Sequence, residues 1–518
     1  MKNLPRDSIL DYVGNTPLVK LNRIPKDHGV KCEIYAKCEF LNPCGSIKDR
    51  IALAMLRDAQ ENNLVHENTT LVEPTSGNTG IGIAFNCALT GNKCTIVTEQ
   101  KNSSEKVNTI RLLGAQVIQV KDNDAELSIA HTLSNNYANY IMLNQFDNRI
   151  NPKTHYDNTG AEIVNALDSI DMVVMGTGTG GTLTGVGVKV KKHYPNCKIV
   201  AAEPAGSTII NEDAKAYDFL VEGIGGTWIP TVLDKNVVDE VEVANDEESF
   251  LMARELSRKE GLLCGGSSGT AMACAIKTIK RLNLGVGKHV VVILPDGIRN
   301  YMTKFVCDQW MESKLFKDPP HHTMCWWNCP ITVLRVNHEY PVIKTNDTCA
   351  HALNNMKDRS NFAIIVNNHG WFAGVISKDS LRNSATNPTK LPGQSSEEFN
   401  FNDPVTDHLC KNIHTLAKNG RKGMPTMGRL SRILDITPFV VIGTVCHDHE
   451  HFTADRIVTG DDILDYIYVY SCCGEGLPIR GQALEESTRL EDNLCRDETR
   501  VGNWFLQQEQ DVKTCGYF

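Results

Sequence analysis

"DMVVMGTGTGGTLTGVG" (residues 171–187) joins an apolar run of strand length to a glycine-rich turn and then to a helical pattern. Its reading decides the fold, because two kinds of α/β protein place such a turn at the end of a parallel strand. Taken literally, Gly176, Gly178 and Gly181 satisfy G-x-G-x-x-G, and Glu203 closes the next strand where a ribose-binding acid would stand. That reading gives a dinucleotide-dependent oxidoreductase. In the other reading, "GTGGT" (178–182) cradles one phosphate with backbone N–H groups and two threonine hydroxyls at a helix N-terminus. The two differ in what else the chain must supply. A dehydrogenase needs a hydride-side site, and no clear candidate is present.

The phosphate reading finds partners elsewhere. "EPTSGNTG" (73–80) sits between a strand and a helix, and its N–H groups with Thr75, Ser76, Asn78 and Thr79 form a nest suited to a small carboxylate. "LLCGGSSGTAM" (262–272) is a third such junction, with Ser267 and Ser268 as N-cap candidates. Each alone is an ordinary strand-to-helix turn. A fourth signal is "NPCGSIKDR" (42–50), followed by the amphipathic "IALAMLRDAQ", whose Ile51, Ala54, Met55 and Ala59 fall on one face. Gly45 and Ser46 read as the turn and cap of that helix, which puts Lys48 in its first turn. The positive helix end disfavours a cation there and suits a nucleophilic amine able to form a Schiff base.

Around these motifs, "TTLVEP", "KCTIVTE", "AQVIQV", "KIVAAEP" and "HVVVILP" are strand-length apolar runs alternating with helical ones from about residue 1 to 310. That alternation predicts an α/β fold with parallel sheet covered on both faces. At 518 residues the chain exceeds one core, and its length predicts roughly two to four domains. With 41% hydrophobic and 22% charged residues it has an ordinary globular composition. A net charge of −9 gives no reason to expect nucleic acid or an anionic membrane as partner. No apolar run fits a signal peptide or a membrane span. The 18 cysteines are scattered, several in apolar runs such as those of Cys87 and Cys274, which points to reduced thiols and a cytosolic protein.

The pattern changes after "RNYMTKF". Residues 1–311 read as one catalytic domain and 312–330, "ESKLFKDPPHHTMCWWNCP", as a linker ending in an aromatic anchor. Residues 331–470 hold a faint repeat, and 471–518 form an unassigned tail. "FAIIVNNHGWFAGVISKDSLRN" (362–383) and "PFVVIGTVCHDHEHFTADRIVTGDDILDYI" (438–467) share one order: strand, polar turn, second strand ending in Ser377 or Thr459, then a helix. His321, His322, Cys325 and Cys329 have a spacing open to zinc, but a second cysteine pair is missing and no metal is expected.

Taken together, "GSIKDR", "EPTSGNTGIGIA", "SSEKV", "GTGGTLTG", "VEGIGGTWIPTVLD", "GLLCGGSSG" and "ILPDGIRNYMTKF" resemble the pyridoxal-phosphate β-replacement enzymes, in particular the cystathionine β-synthase family. The resemblance covers about residues 5–310 and continues through "GRLSRILD" (428–435) and the paired half-domains, which are similar to a tandem CBS-domain (Bateman) module. It implies an α/β, fold-type II, tryptophan-synthase-β-like catalytic part in two subdomains, with the Bateman module after it. It implies that Lys48 binds pyridoxal 5'-phosphate covalently and then moves the Cα proton. Gly178, Thr179, Gly180, Gly181 and Thr182 would hold the cofactor phosphate, Asn78 its ring hydroxyl, and Ser267 would face the pyridine nitrogen. Thr75, Ser76, Thr79 and Gln145 would hold the substrate carboxylate, with Glu222 and Gly223 on a second amino-acid substrate. A serine in place of a carboxylate at the ring nitrogen makes the ring a weaker electron sink, which favours β-elimination over transamination. The implied reaction condenses L-serine with L-homocysteine to cystathionine and water; cysteine as first substrate would release hydrogen sulfide.

Three departures qualify that picture. Gly226 and Phe146 stand where the family usually has tyrosines; both changes resemble the cysteine synthases that use O-acetylserine and sulfide, which is the alternative activity. The stretch after Val120, "KDNDAELSIAHTL", is shorter than the family's loop near the cavity mouth. Animal members carry a haem-binding extension, whereas this chain enters the family pattern at "DYVGNTPLVKL" (11–21), so no haem is expected. In the second half-domain, Thr459 and Asp462 follow a Thr-x-x-Asp pattern suited to ribose hydroxyls, which makes it the better candidate site for S-adenosylmethionine or an adenine nucleotide; the alternative is a structural dimerisation module with no ligand. Ser377 and Ser380 stand at the equivalent positions and lack the carboxylate. The family also implies a homodimer. A reading of another class, a nucleotide-sensing scaffold with a non-catalytic enzyme-like half, is opposed by the presence of Lys48 and Ser267.

Overall fold

The computed structural model describes residues 6–120, 123–336, 338–386, 399–410, 413–420, 423–446 and 451–473. Most of the tail expected from 471 lies outside them. The catalytic part is built on two sheets. Six strands run in the order Leu18–Lys20, Glu33–Cys38, His289–Leu294, Met172–Gly176, Lys198–Pro204 and Glu240–Ala244, all parallel except the first pair. Four more, Gln116–Val120, Lys93–Glu99, Thr70–Pro74 and Tyr140–Met142, form a second, wholly parallel sheet.

The continuous apolar runs follow from burial on both faces. Val174, Val200 and Val292 pack in one cluster with Met272 and Ile276 of the Gly266–Arg281 helix. Their neighbours Val173, Ile199 and Val291 point the other way, onto Leu183 and Val186 of the Gly181–His193 helix. The glycine junctions fall at the carboxyl ends of Thr70–Pro74 and Met172–Gly176, where open parallel sheets bind ligands.

The faint repeat is a structural one. Val342–Lys344 pairs parallel with Phe362–Val366, which pairs antiparallel with Phe372–Ser377. His414–Ala417, Phe439–Val445 and Phe452–Thr459 repeat that pattern, and each antiparallel pair carries one register shift. Thr348 and Thr426 cap equivalent helices, each accepting an N–H three residues on at 3.3 Å. Pro330 bridges Thr426 and Pro404 bridges Thr348, so each half receives the strand-like segment preceding the other. Phe362 packs on Phe439 and Phe372 on Phe452 between the two sheets. This is the expected Bateman architecture. In the first half, Ser377 and Ser380 satisfy each other's N–H groups at 2.9 and 3.0 Å, closing that helix start on itself. Thr459 ends its strand, and Asp462 lies in the first turn of the Gly460–Cys473 helix. The described residues through Gly460 form one compact unit, and those from Asp461 fall in a second.

Residues 312–330 are packed rather than free. Glu312 is fully buried and takes two hydrogen bonds from Arg432, at 3.0 and 3.3 Å. Arg429 reaches the Glu312 carbonyl and, at 2.9 Å, Asp318. A Cβ on Gly428 would come 2.4 Å from the Trp327 ring, so "GRLSRILD" reads as the surface that receives this segment. His322 lies 5.1 Å from Trp327 ring to ring, and among the described residues no group of three or more His, Cys, Asp or Glu could hold a metal ion. Cys87 and Cys274 are buried free thiols, and no described helix is long and apolar enough to cross a membrane.

Candidate active site

The Lys48–Glu61 helix explains why an Asp-Arg pair follows the lysine. The N-cap position is Ile47, one residue later than expected, although the Ser46 hydroxyl does accept the Lys48 N–H at 3.2 Å. Asp49 folds back to take the Cys44 N–H at 2.6 Å, which fixes the Pro-Cys-Gly-Ser turn. Arg50 anchors the other side: it binds Glu39 and Glu162, each at 2.7 Å, inside a network completed by Lys37 and Thr16. Lys48 thus leaves a helix start held from both sides, and its side chain enters a cavity of about 520 Å³.

Ser76, Asn78, Thr79, Gln145, Gly178, Thr179, Gly180, Thr182, Glu222, Gly223 and Ser267 line the same cavity, as do the departures Phe146 and Gly226. Thr75 and Gly181 do not. Thr75 stands behind the wall, its hydroxyl taking the Gly77 N–H at 3.1 Å. Gly181 opens the Gly181–His193 helix, and a Cβ there would come 2.0 Å from Asn151 Oδ1. The glycines allow a bare backbone cradle. Gly180 has φ +83°, and a Cβ on Gly178 would sit 2.6 Å from the Gly223 carbonyl. Asn151 braces the cradle, donating to Thr179 Oγ1 (3.1 Å) and to the Gln145 carbonyl (2.8 Å). Thr79 donates to Gln145 Oε1 at 2.6 Å, and Gln145 Nε2 to the Pro74 carbonyl at 3.1 Å, which fixes this corner of the cavity.

Three expectations change in this geometry. The N-cap of the Gly266–Arg281 helix is Gly265, not Ser267 or Ser268, because a Cβ there would fall 2.0 Å from Asp296 Oδ1. Glu203 cannot read a ribose: it is buried outside the cavity and accepts the Ser207 hydroxyl, which itself takes the Gly226 N–H at 3.2 Å. It supports the segment over the cradle, and the dinucleotide reading loses its acid. Glu222 lines the cavity but is already engaged, taking Lys106 Nζ at 2.7 Å, the Ser103 N–H at 3.3 Å and Lys304 Nζ. Burial pulls the other way, yet Lys106 and Lys304 hold its carboxyl below the usual range.

Burial lowers the Lys48 amine to about 8, with Glu73 pulling weakly upward. A fraction of the amine is therefore neutral near pH 7. Covalent capture of an aldehyde by the apo-protein needs that neutral form, so its rate should rise about tenfold per pH unit up to a plateau near 8. Stopped-flow absorbance after mixing with pyridoxal phosphate checks this. A rate still climbing far into the alkaline range would show an ordinary lysine.

Two residues near the cavity carried no signal in the sequence. His155, fully buried, has its pKa pushed well down by burial and by the nearby charges of Lys48 and Arg50; it bonds Thr182 Oγ1 at 3.2 Å. Glu126, from the Asn123–Asn136 helix that replaces the expected loop, lines the cavity and is raised to about 8 by burial and by Glu99. Neither stands in a glycine turn or another short motif that marks a site along the chain.

The profile described as "Pyridoxal-phosphate dependent enzyme" matches residues 9–296. A cystathionine β-synthase of Apis mellifera is 42% identical over 455 residues, 85% of this chain and 87% of that protein. The chain belongs to the cystathionine β-synthase family. Among solved structures, a hydrogen sulfide-producing enzyme from Fusobacterium nucleatum is 38% identical with a TM-score of 0.55, over 57% of this chain and all of that one. An O-acetylserine dependent cystathionine β-synthase from Helicobacter pylori is 33% identical with a TM-score of 0.55, over 58% of this chain and 98% of that one. The family makes this chain a pyridoxal-phosphate-dependent lyase that carries out β-replacement. The residues present fit the cofactor: a glycine-rich turn with two threonine hydroxyls at a helix start, suited to the phosphate, and a lysine of lowered pKa on the same cavity.

Proposed function

We propose that the chain condenses L-serine with L-homocysteine to cystathionine and water. The observation that carries this is the meeting, on one cavity, of the neutralisable Lys48 amine with the carboxylate nest of Ser76, Thr79 and Gln145. Bound pyridoxal phosphate would draw electrons from Cα of the attached amino acid, making its proton acidic and its β-substituent a leaving group. Lys48 Nζ would take that proton, and the nest would fix the carboxylate so that Cα faces the amine. Gly178, Thr179, Gly180 and Thr182 would hold the phosphate, with Gly181 shaping the turn behind them. Asn78 would hold the ring hydroxyl, and Ser267 would face the ring nitrogen without a carboxylate's charge. Thr75 would act from behind by bracing the nest. The 205–230 segment, tied to Thr177 through the Gly225 N–H at 2.7 Å, would keep water from the reacting carbon.

A second reading, O-acetylserine with sulfide, is favoured by one observation. Glu222, which would receive the ammonium of homocysteine, already holds two lysines. Giving the holoenzyme serine or O-acetylserine first, and homocysteine or sulfide second, separates them. Cystathionine from serine and homocysteine as the faster product supports the first reading; cysteine from O-acetylserine as the faster product overturns it. By family analogy alone, the same proposal includes S-adenosylmethionine or an adenine nucleotide at the Bateman module, a homodimer, hydrogen sulfide from cysteine, and a cytosolic setting.

A further inference from the structure

Asp296 follows the His289–Leu294 strand in "PDGIRNY", lines the cavity and is 1% exposed. Its Oδ2 accepts Asn78 Nδ2 at 2.9 Å and the Tyr301 hydroxyl at 2.5 Å. The Asn78 oxygen in turn accepts Asn300 Nδ2 at 2.9 Å. One short segment, 296–301, therefore clasps a side chain that begins the Asn78–Thr90 helix beside the other sheet. Burial raises the Asp296 carboxyl, but Lys106 and the hydrogen bonds from Tyr301 and Asn78 favour its ionised form; in that form it has no proton to give, so the nitrogen of the Asn78 amide faces Asp296 and the oxygen faces Asn300. One amide N–H and one carbonyl lone pair are taken by the clasp, and a single N–H remains for the cavity.

The same carboxylate abuts a second helix start. Its Oδ1, without a hydrogen-bond partner among the described residues, lies 2.0 Å from where a Cβ on Gly265 would stand. Gly265 caps the helix that carries Ser267. Lys106 Nζ sits 4.8 Å over the Tyr301 ring, which places a cation near the buried carboxylate.

We infer that Asp296 is a positioning residue, which orients the Asn78 amide so that its nitrogen is the group offered to the cofactor ring oxygen. This rests on the reading that Asn78 meets the cofactor. A bound ring oxygen would then always find a donor. Without Asp296 only the Asn300 contact resists a flip of the amide that would present its oxygen, which repels an oxygen acceptor.

The test is a double-mutant cycle on the full-length protein, reading the pyridoxal phosphate dissociation constant and the visible band of the bound cofactor. Asp296→Ala and Asn78→Ala should each weaken binding about tenfold and shift the band, and the double variant should be no worse than Asn78→Ala. Asp296→Asn, which can still accept from Asn78 and Tyr301, should restore most of the affinity. Where Asp296→Ala does not fold, as judged by circular dichroism, Asp296→Ser carries the same cycle. Losses that multiply in the double variant, or an Asp296→Ala protein with wild-type affinity and band, overturn the inference while leaving Asn78 at the cofactor. An Asn78→Ala protein with unchanged affinity overturns the reading beneath it.

Discussion

Lys48→Ala lowers turnover by about 10⁴-fold, the full contribution of a positioned proton carrier, and leaves a protein that still takes up pyridoxal phosphate. The glycine cradle and Asn78 do not depend on the lysine, so cofactor affinity falls but does not vanish. Two measurements check this. Initial rates with serine and a thiol give the loss of turnover. The visible spectrum after exhaustive dialysis separates a cofactor held covalently in the wild type from one that washes out of the variant. Lys48→Arg should not rescue the rate, because a guanidinium stays charged at any working pH and cannot take the Cα proton. A variant within tenfold of the wild-type rate would remove Lys48 from the chemistry.

Arg50→Ala destabilises the protein by about 3–5 kcal/mol, since deleting one partner of a buried ion pair strands the other. Glu39 is fully buried and faces Arg50 at 2.7 Å, and the same guanidinium spans to Glu162. Denaturant unfolding of wild type and variant measures the loss. The network also sets an acid dependence. Burial opposes ionisation of Glu162, but Arg50 and Lys37 hold it down to about 2 from the ordinary 4.5. Its stabilising contribution is therefore complete above the ordinary value and is lost as the pH falls through about 2. In Arg50→Ala that acid-range slope should be shallower, with Lys37 alone remaining. An unchanged unfolding midpoint would mean that Glu39 finds water or another donor.

Much of the site was legible because it is built from local chemistry. A glycine turn between an apolar strand and a helix reads the same wherever it occurs, and all three junctions fall at strand or helix ends around one cavity. The helix start at Lys48 was legible for the same reason. The repeat in the C-terminal half also survived, since strand, turn, strand and helix in fixed order specify a unit before any packing is known. Glu222 shows the limit. Its place in "VEGIG" marks it as a cavity residue, but nothing nearby in the sequence announces Lys106 or Lys304, more than 80 positions away on either side. Asp296 is a similar case: "PDG" reads as a turn, and its hold on Asn78 appears only when two distant segments are brought together.

The sequence by itself determined the α/β alternation, the strands buried on both faces, the glycine turns, the lysine at a helix start and the duplicated half-domain. Each depends on the spacing of side chains along a few turns of backbone, and that spacing is covalent. The tertiary structure alone decided that Glu203 supports the cradle's cover rather than reading a ribose, that Glu222 is an ionised carboxylate paired with two lysines, that Glu312 is held by Arg432, and that burial brings the Lys48 amine down to about 8. These depend on which charges lose water together. Desolvation is a property of the packed neighbourhood, where partners far apart in the chain meet at hydrogen-bond distance, and no short stretch of sequence contains it.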